Sequence, residues 1–395
     1  MTSSQMKGTP KDLGFGFGIE AEYLLLDKNS RPLFHEDLDF ETMRDCVDSI
    51  SVADLGTAGF NIKPLHKLAN PYLIEGYYLT DSDMKPHTLL PKGIEVRTPI
   101  RSSIDETIAV LADATERLQE RLSARFGYQL CSISHHPTRY NFQAAPNYKR
   151  HDYWQWALTA MTTYGPDINI SLPGELASIV DQTQLKARLN FYMPAVIALT
   201  FASPLFDGQL WRPDSSTNSA VNSACGATTN VTAGKSVRTY NRSQWAPLYY
   251  IHTEPALRFE FKGFEMPRDM ADYGALFLIS LALLLDPALS MKTTDDERIA
   301  NLRYFAEYGL QSHGARICAG AVLQAAERTA LRLSLDASCL KPFWTRLETG
   351  ILPADEISAS FAKENSLTRT LQKMVVKPAN TAFSAAQPQV IAIGR

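Results

Sequence analysis

Cysteine is scarce and scattered: Cys46, Cys131, Cys225, Cys318 and Cys339 form no CxxC pair. This argues against a zinc site and against a disulfide framework, and the thiols read as reduced, mostly buried groups of a cytoplasmic protein. Neither sign of charge dominates. The chain carries 39 Lys and Arg against 42 Asp and Glu, a formal net charge of -3, with both signs spread along its length. No basic patch is expected for nucleic acid or for an anionic membrane, which leaves small molecules as the expected partners. Long apolar runs are absent too. The longest, "ALFLISLALLL" at 275–285, is closed by "DPAL"; it is too short to span a bilayer and reads as a buried helix, suited to a core or to the interface of a homodimer. No GxxxxGK[ST] occurs, and "GFGFG" lacks the GxGxxG spacing and precedes no helix, so P-loop and Rossmann readings are set aside. Residues 1–12 are polar with no apolar h-region, and they read as a disordered leader rather than a secretory signal.

What the chain does have is strands with one polar face. "GFGIEAEYLLLD", residues 16–27, alternates so that Phe17, Ile19, Ala21, Tyr23 and Leu25 share one face with Phe15, while Glu20 and Glu22 share the other. Two carboxylates so placed lie roughly 6–7 Å apart at Cα, a spacing that suits gripping a cation; an edge strand with a solvated acidic side would read the same way. Other stretches repeat the arrangement. "KGIEVRTPI" (92–100) opposes Ile94, Val96 and Thr98 to Glu95 and Arg97, and "DINISLPGE" (167–175) opposes Ile168, Ile170 and Leu172 to Asp167, Asn169 and Ser171. "ALRFEFKGFE" (256–265) opposes Leu257, Phe259 and Phe261 to Arg258, Glu260 and Lys262. One such strand would be an ordinary half-solvated sheet; several suggest a concave sheet whose polar face lines a site. Carboxylates hold divalent cations there, and Arg and Lys hold phosphate or carboxylate oxygens, which suits nucleotide chemistry without a P-loop.

The predicted fold class is α+β: a curved sheet with a polar active-site face, covered by helices on the other. Ile104, Ile108, Leu111, Thr115, Leu118 and Leu122 fall at helical spacing behind a Ser103–Glu106 capping box. "YQLCSISHHP" (128–137) reads as a strand ending in a His pair, and 183–204 as a helix kinked at Pro194. Residues 36–92 read as irregular, with short helices and loops. Residues 212–243, rich in Ser, Thr, Asn, Gly and Ala, read as a long loop, either a lid or a disordered excursion. From about 269 to 375 the pattern is helical. The expected organisation is a single catalytic domain over 13–375 and a tail over 376–395.

The order of the motifs "GIEAEYLLLD", "KGIEVRTPIRSS", "SISHHP", "YGPDINISLP", "FASPLFDG" and "PALRFEFKGFE", covering roughly residues 14–310, resembles the glutamate-cysteine ligase type 2 family. These carboxylate-amine ligases share the active-site sheet of glutamine synthetase and of guanidino kinases, which implies antiparallel strands for the predicted sheet. The resemblance implies ATP and Mg2+ as cofactors, and an amide formed through an acyl phosphate on the γ-carboxylate of glutamate with an amino acid or amine. It implies Glu20, Glu22, Glu95, Asp167 and Glu260 as metal ligands, and Arg97, Arg258 and Lys262 as catalytic cations. The nucleotide and substrate would fall to Glu20, Glu22, Arg97, His136, Asn169 and Lys262. The chain also departs from the family pattern: Asp167 and Asn169 replace two histidines of the third strand, and Lys262 replaces an arginine. A further arginine of the family has no clear counterpart unless Arg212 or Arg238 serves. Two other readings stay open, a phosphotransferase on the same sheet and a catalytically weakened relative that binds a nucleotide or amino acid.

Overall fold

The computed structural model describes residues 8–57, 60–143, 157, 159–178, 180–213, 233–244, 246–253 and 256–377. Its centre is β1 (Gly16–Leu26), an eleven-residue strand flanked on both sides. β2 (Tyr72–Thr80) pairs with β3 (Pro86–Arg97), β3 with β1, β1 with β5 (Pro166–Ser171), and β5 with β9 (Arg258–Phe261). β8 (Tyr249–His252) closes the edge, and the short β4 (Gln129–Cys131) pairs with the end of β1. Every pairing is antiparallel. A separate ribbon joins β6 (Leu205–Phe206) to β7 (Gln209–Leu210). The architecture is the expected α+β one, with a curled antiparallel sheet.

Register follows from the alternation. Residues directly opposite across a ladder point to the same face, and Glu20 lies opposite Arg97 on one side and Asp167 on the other. Glu22 lies opposite Glu95, and Asn169 opposite Glu260. The polar rows of separate strands thus become neighbours. On the other face Phe17, Ile19, Ala21 and Tyr23 are at most 1% exposed. Helices Ile104–Phe126 and Asp272–Leu285 cover that face, with the Phe17 and Phe277 rings meeting edge-on at 5.4 Å. Asp272 through Leu284 are all buried and Leu285 partly so, packed against the same core, so the apolar run belongs to the core rather than to an exposed face. Among the described residues no helix is long and apolar enough to cross a membrane.

The structure corrects several expectations. Within residues 36–92 the described chain is mostly loop around one short helix, Phe40–Val47, as expected, but it also holds part of a long hairpin that was not expected, Tyr72–Thr80 paired with Pro86–Arg97. Its register shifts at Glu75/Gly76 and Leu79/Thr80, and each bulge breaks the period-two pattern that would reveal a strand. Asp81 Oδ1 shapes the turn by accepting from the N–H groups of Asp83 and Lys85, each at 2.9 Å. Gly76 is needed at the first bulge, since a Cβ there would lie 2.0 Å from Leu90 O. The strand expected over 128–137 stops at Cys131, after which Ser132 N–H donates to Met374 O and His136 N–H to Thr162 O.

Pro194 lies inside the helix Gln182–Ala198, and the helix Ile104–Phe126 begins where Ser103 Oγ accepts from Glu106 N–H. Of the expected loop at 212–243, residues 214–232 lie outside the described residues, while Val237–Arg242 form a helical segment. Of the expected leader, residues 1–7 lie outside the described residues; Pro10–Leu13 form a helical turn capped reciprocally by Thr9 and Asp12. Residues 378–395 of the expected tail lie outside the described residues as well.

Gly93 in β3 offers a direct test of this packing. A Cβ there would fall 2.2 Å from Tyr23 O and 3.2 Å from the Tyr164 ring, so Gly93→Ala must push β3 away from β1. The expected loss is about 1–3 kcal/mol or more, read from denaturant unfolding. An unchanged midpoint would show that the two strands part freely at this point.

Candidate active site

The polar faces of β1, β2, β3, β5 and β9, with residues 160–165 and the helix Val237–Arg242, enclose a cleft of about 260 Å³. Two carboxylate trios line it. Glu20, Asp167 and Glu260 each bring an oxygen within 4.8 Å of the others, and so do Glu22, Glu75 and Glu95. The sheet register creates both groups, and it brings together all five carboxylates that the sequence singled out. Glu75 is the addition. It comes from β2, hidden behind the bulge at Gly76, and its only signal in the sequence is a lone acid inside the otherwise apolar "YLIEGYY".

Cationic side chains reach into the same space. Lys262 Nζ donates to Glu260 Oε1 at 2.6 Å and also to Asp167. Arg258 donates to Asn169 and approaches Glu260 Oε2 at 3.4 Å, and the His252 ring brings Nε2 to 2.7 Å from the same oxygen. Lys92 Nζ donates to Glu22 Oε2 and Thr163 O, each at 2.9 Å, and to Ala160 O at 3.4 Å. Arg97 donates from Nη2 to Asn70 O at 2.6 Å, lies 4.7 Å over the Phe60 ring, and has Nε 3.8 Å from Glu95 Oε1.

Arg238 and Arg242, one helical turn apart, complete the wall. Arg238 Nη1 donates to Gly263 O and Phe264 O at 3.0 Å, and Nη2 to Lys262 O at 3.2 Å. It lies so close over Gly165 that a Cβ there would meet Nη2 at 2.4 Å. Arg242 Nη1 reaches Thr163 Oγ1 at 3.4 Å.

The sequence pattern of glutamate-cysteine ligase family 2 matches residues 16–234, more than half of the chain. The chain belongs to that family. β8 and β9, with Arg258, Glu260 and Lys262, lie beyond the matched stretch. Among curated proteins, none matches the chain in sequence. A bifunctional glutathione synthetase from Pasteurella multocida superposes over 91% of this chain and 51% of its own, with TM-score 0.55 and 13% identity. The chain thus spans about half the length of that protein. A glutamate-cysteine ligase from Francisella tularensis, solved in complex with AMP, covers 91% of this chain and 87% of its own, with TM-score 0.56 and 11% identity. The ligase PafA, solved in complex with the prokaryotic ubiquitin-like protein Pup, covers 91% and 72%, with TM-score 0.51 and 12% identity. At these identities the likeness is one of fold.

The three residues that the resemblance marks as departures, Asp167, Asn169 and Lys262, all lie around Glu260. Asn169 and Arg258 bond to each other at the edge of the cleft rather than lining it. Of the two candidates for the further arginine, Arg238 lines the cleft and Arg212 does not. His136, expected at the nucleotide, stands outside it. Its Nδ1 accepts from the N–H groups of Thr138 and Arg139 at 3.3 and 3.1 Å, which leaves Nε2–H to donate to Leu33 O at 3.3 Å. Burial, with His135 beside it, pushes this imidazole down to about 3. It is a neutral structural histidine that shapes a turn.

Burial raises Glu20, Glu75 and Glu95 above the ordinary carboxylate range, Glu95 furthest because Glu20, Glu75 and Glu22 crowd it. Asp167 is pushed up to about 7 by burial, with Glu20, Glu22 and Glu260 adding to the effect and Lys262 opposing it. Burial acts most strongly on Glu22 and Glu260 and raises both, but Lys92, Lys262 and Arg242 together outweigh it at Glu22, and Lys262, His252 and Arg258 together at Glu260, so both end below the ordinary value. The sign for stability follows. Asp167 keeps its proton to about pH 7 when folded but releases it near 3.8 when unfolded, so the native state binds more protons and stability falls as pH rises through this window. Asp167→Asn is expected to flatten the fall in Tm between pH 4 and 7. Parallel Tm curves for the variant and the parent would show that Asp167 titrates as an ordinary carboxylate.

Proposed function

We propose that this protein is an ATP-dependent carboxylate-amine ligase that joins a glutamate-type carboxylate to an amine through an acyl phosphate. One observation carries the reading: a family 2 sheet sets two carboxylate trios and a set of cationic side chains around a single buried cleft. The Francisella relative solved with AMP supports a nucleotide as one ligand.

The donor set fits magnesium. Carboxylate oxygens are its hard ligands, and burial, with mutual repulsion added, raises Glu75 and Glu95 above the ordinary carboxylate value, a crowding of negative charge that a bound cation would relieve. Glu22, Glu75 and Glu95 would hold the ion, and bound magnesium would neutralise phosphate charge there. The chain's own groups do the rest. Arg97, Lys63 and Arg242 face the cleft as cations for substrate carboxylate and phosphate oxygens. Lys92, fixed by Glu22 and two carbonyls, holds the trio's charge in place.

The substrate carboxylate attacks the γ-phosphorus in line and ADP leaves with the bridging oxygen's electron pair. The amine nitrogen then attacks the acyl carbon, phosphate departs, and the nitrogen loses a proton. Burial keeps the acyl phosphate from water.

Phosphate release from ATP and Mg2+, with acids and amines supplied in pairs, tests this. Release is expected only when both members of a pair are present, and Glu22→Gln or Glu95→Gln should lower it at least about a hundredfold with an unchanged circular dichroism spectrum. A phosphorylated acceptor with no free phosphate would make the protein a phosphotransferase. Nucleotide binding without turnover on any pair would make it a binding relative. The raised carboxylates add a simpler expectation: protons and cation compete for them, so MgCl2 should raise Tm more at pH 8 than at pH 5, and an equal rise would detach the cation from these groups.

A further inference from the structure

The two trios differ in what already neutralises them. At Glu20, Asp167 and Glu260 an ammonium stands among the oxygens, since Lys262 Nζ lies 2.6 Å from Glu260 Oε1 and donates to Asp167 as well. The other Glu260 oxygen faces His252 at 2.7 Å and Arg258 at 3.4 Å. At the second trio the cations hold back. Lys92 bonds to Glu22 and spends its other donors on Thr163 O and Ala160 O. Among the described residues no Lys, Arg or His forms an ion pair with Glu75, and Arg97 stands 3.8 Å from Glu95 with its Nη2 on a backbone carbonyl.

Strand alternation brings this about. Glu260 and Lys262 are two residues apart, so they point to one face, and the pairing of β5 with β9 sets Asp167 beside them. A lysine head is a compact point charge with three donors and can sit between two carboxylates, where a planar guanidinium would take one edge-on. A dication placed at the first trio would meet the Lys262 ammonium between two of its three carboxylates, whereas at the second trio Lys92 bonds to Glu22 alone and Arg97 stands 3.8 Å from Glu95, so the like-charge clash is greater at the first.

We propose that Lys262 is the resident cation of the Glu20–Asp167–Glu260 trio, so that this trio takes no divalent ion while the lysine holds it. Divalent ions are then confined to Glu22, Glu75 and Glu95. The inference rests on the ligase reading only in treating that second trio as a metal site.

Mn2+ is the probe, counted per chain by the electron paramagnetic resonance of the free ion, in the full chain with a non-hydrolysable ATP analogue at neutral pH. Lys262→Met is expected to bind one Mn2+ more than the parent chain, Lys262→Arg no more than the parent, and Glu75→Gln one fewer. Lys262→Gln repeats the test if the methionine variant fails to fold. An equal count in the parent and in a folded, uncharged Lys262 variant overturns the proposal. So does a parent chain that binds two protein-held ions, one lost in Glu75→Gln and the other in Asp167→Asn. A count unchanged by Glu75→Gln but raised by Lys262→Met would sink the metal role of the second trio, and with it that part of the ligase reading, while leaving the lysine's role standing.

Discussion

Burying carboxylates without countercharge costs several kcal/mol per ion, and that constraint organises this protein. Glu20, Glu22, Glu75, Glu95, Asp167 and Glu260 share one cleft with Lys63, Lys92, Arg97, Arg238, Arg242 and Lys262. The array holds only because β1 is central, with Glu20 between Arg97 and Asp167 and Glu22 beside Glu95. Shifting β1 by one residue would turn every acid into the core and every apolar side chain into the cleft. The apolar face, Phe17 against Phe277 and Tyr23 fully buried, therefore fixes the electrostatics of the opposite face.

A second buried carboxylate ties the cleft to the helices behind it. Glu265 accepts from Ala202 N–H at 2.6 Å, from Ser203 Oγ at 2.5 Å and from Ser236 Oγ. Ser236 also caps the helix Val237–Arg242, accepting from Thr239 N–H at 2.9 Å. Because its hydroxyl proton goes to Glu265, its lone pairs face the helix, and one fully buried acid thus orients the segment that carries Arg238 and Arg242. Burial pushes Glu265 above the ordinary carboxylate range despite these donors.

The polar rows were legible because side-chain alternation is a local property. "GIEAEY", "IEVR", "DINIS" and "RFEFK" each announce a two-faced strand, and the five acids they carry do converge. Which acids form a set was not legible, since the division into two trios depends on register between strands more than 70 residues apart, such as Glu22 and Glu95. Glu75 was missed because a bulge broke its alternation, and Arg242 because a loop-like composition concealed a helical segment. His136 misled for the opposite reason. A histidine beside a proline suggests a site, yet both its ring nitrogens are spent on backbone groups of its own turn and of Leu33.

The two arginines on that helical segment show how the fold assigns different work to like side chains. Arg238 spreads its terminal nitrogens over the carbonyls of Lys262, Gly263 and Phe264, so its charge is used to hold the chain just past β9 against the helix. Arg242 sits one turn further on, and among the described residues its guanidinium hydrogen-bonds only to the Thr163 hydroxyl, at 3.4 Å. Burial lowers both from the usual arginine value, Arg238 to about 10, where it still keeps its proton at neutral pH. A cation with its carbonyls satisfied is a strut, and one with donors to spare in a buried cleft is a seat for an anion. By that distinction Arg238 is the strut, and Arg242 is the arginine whose remaining donors are left for the cleft.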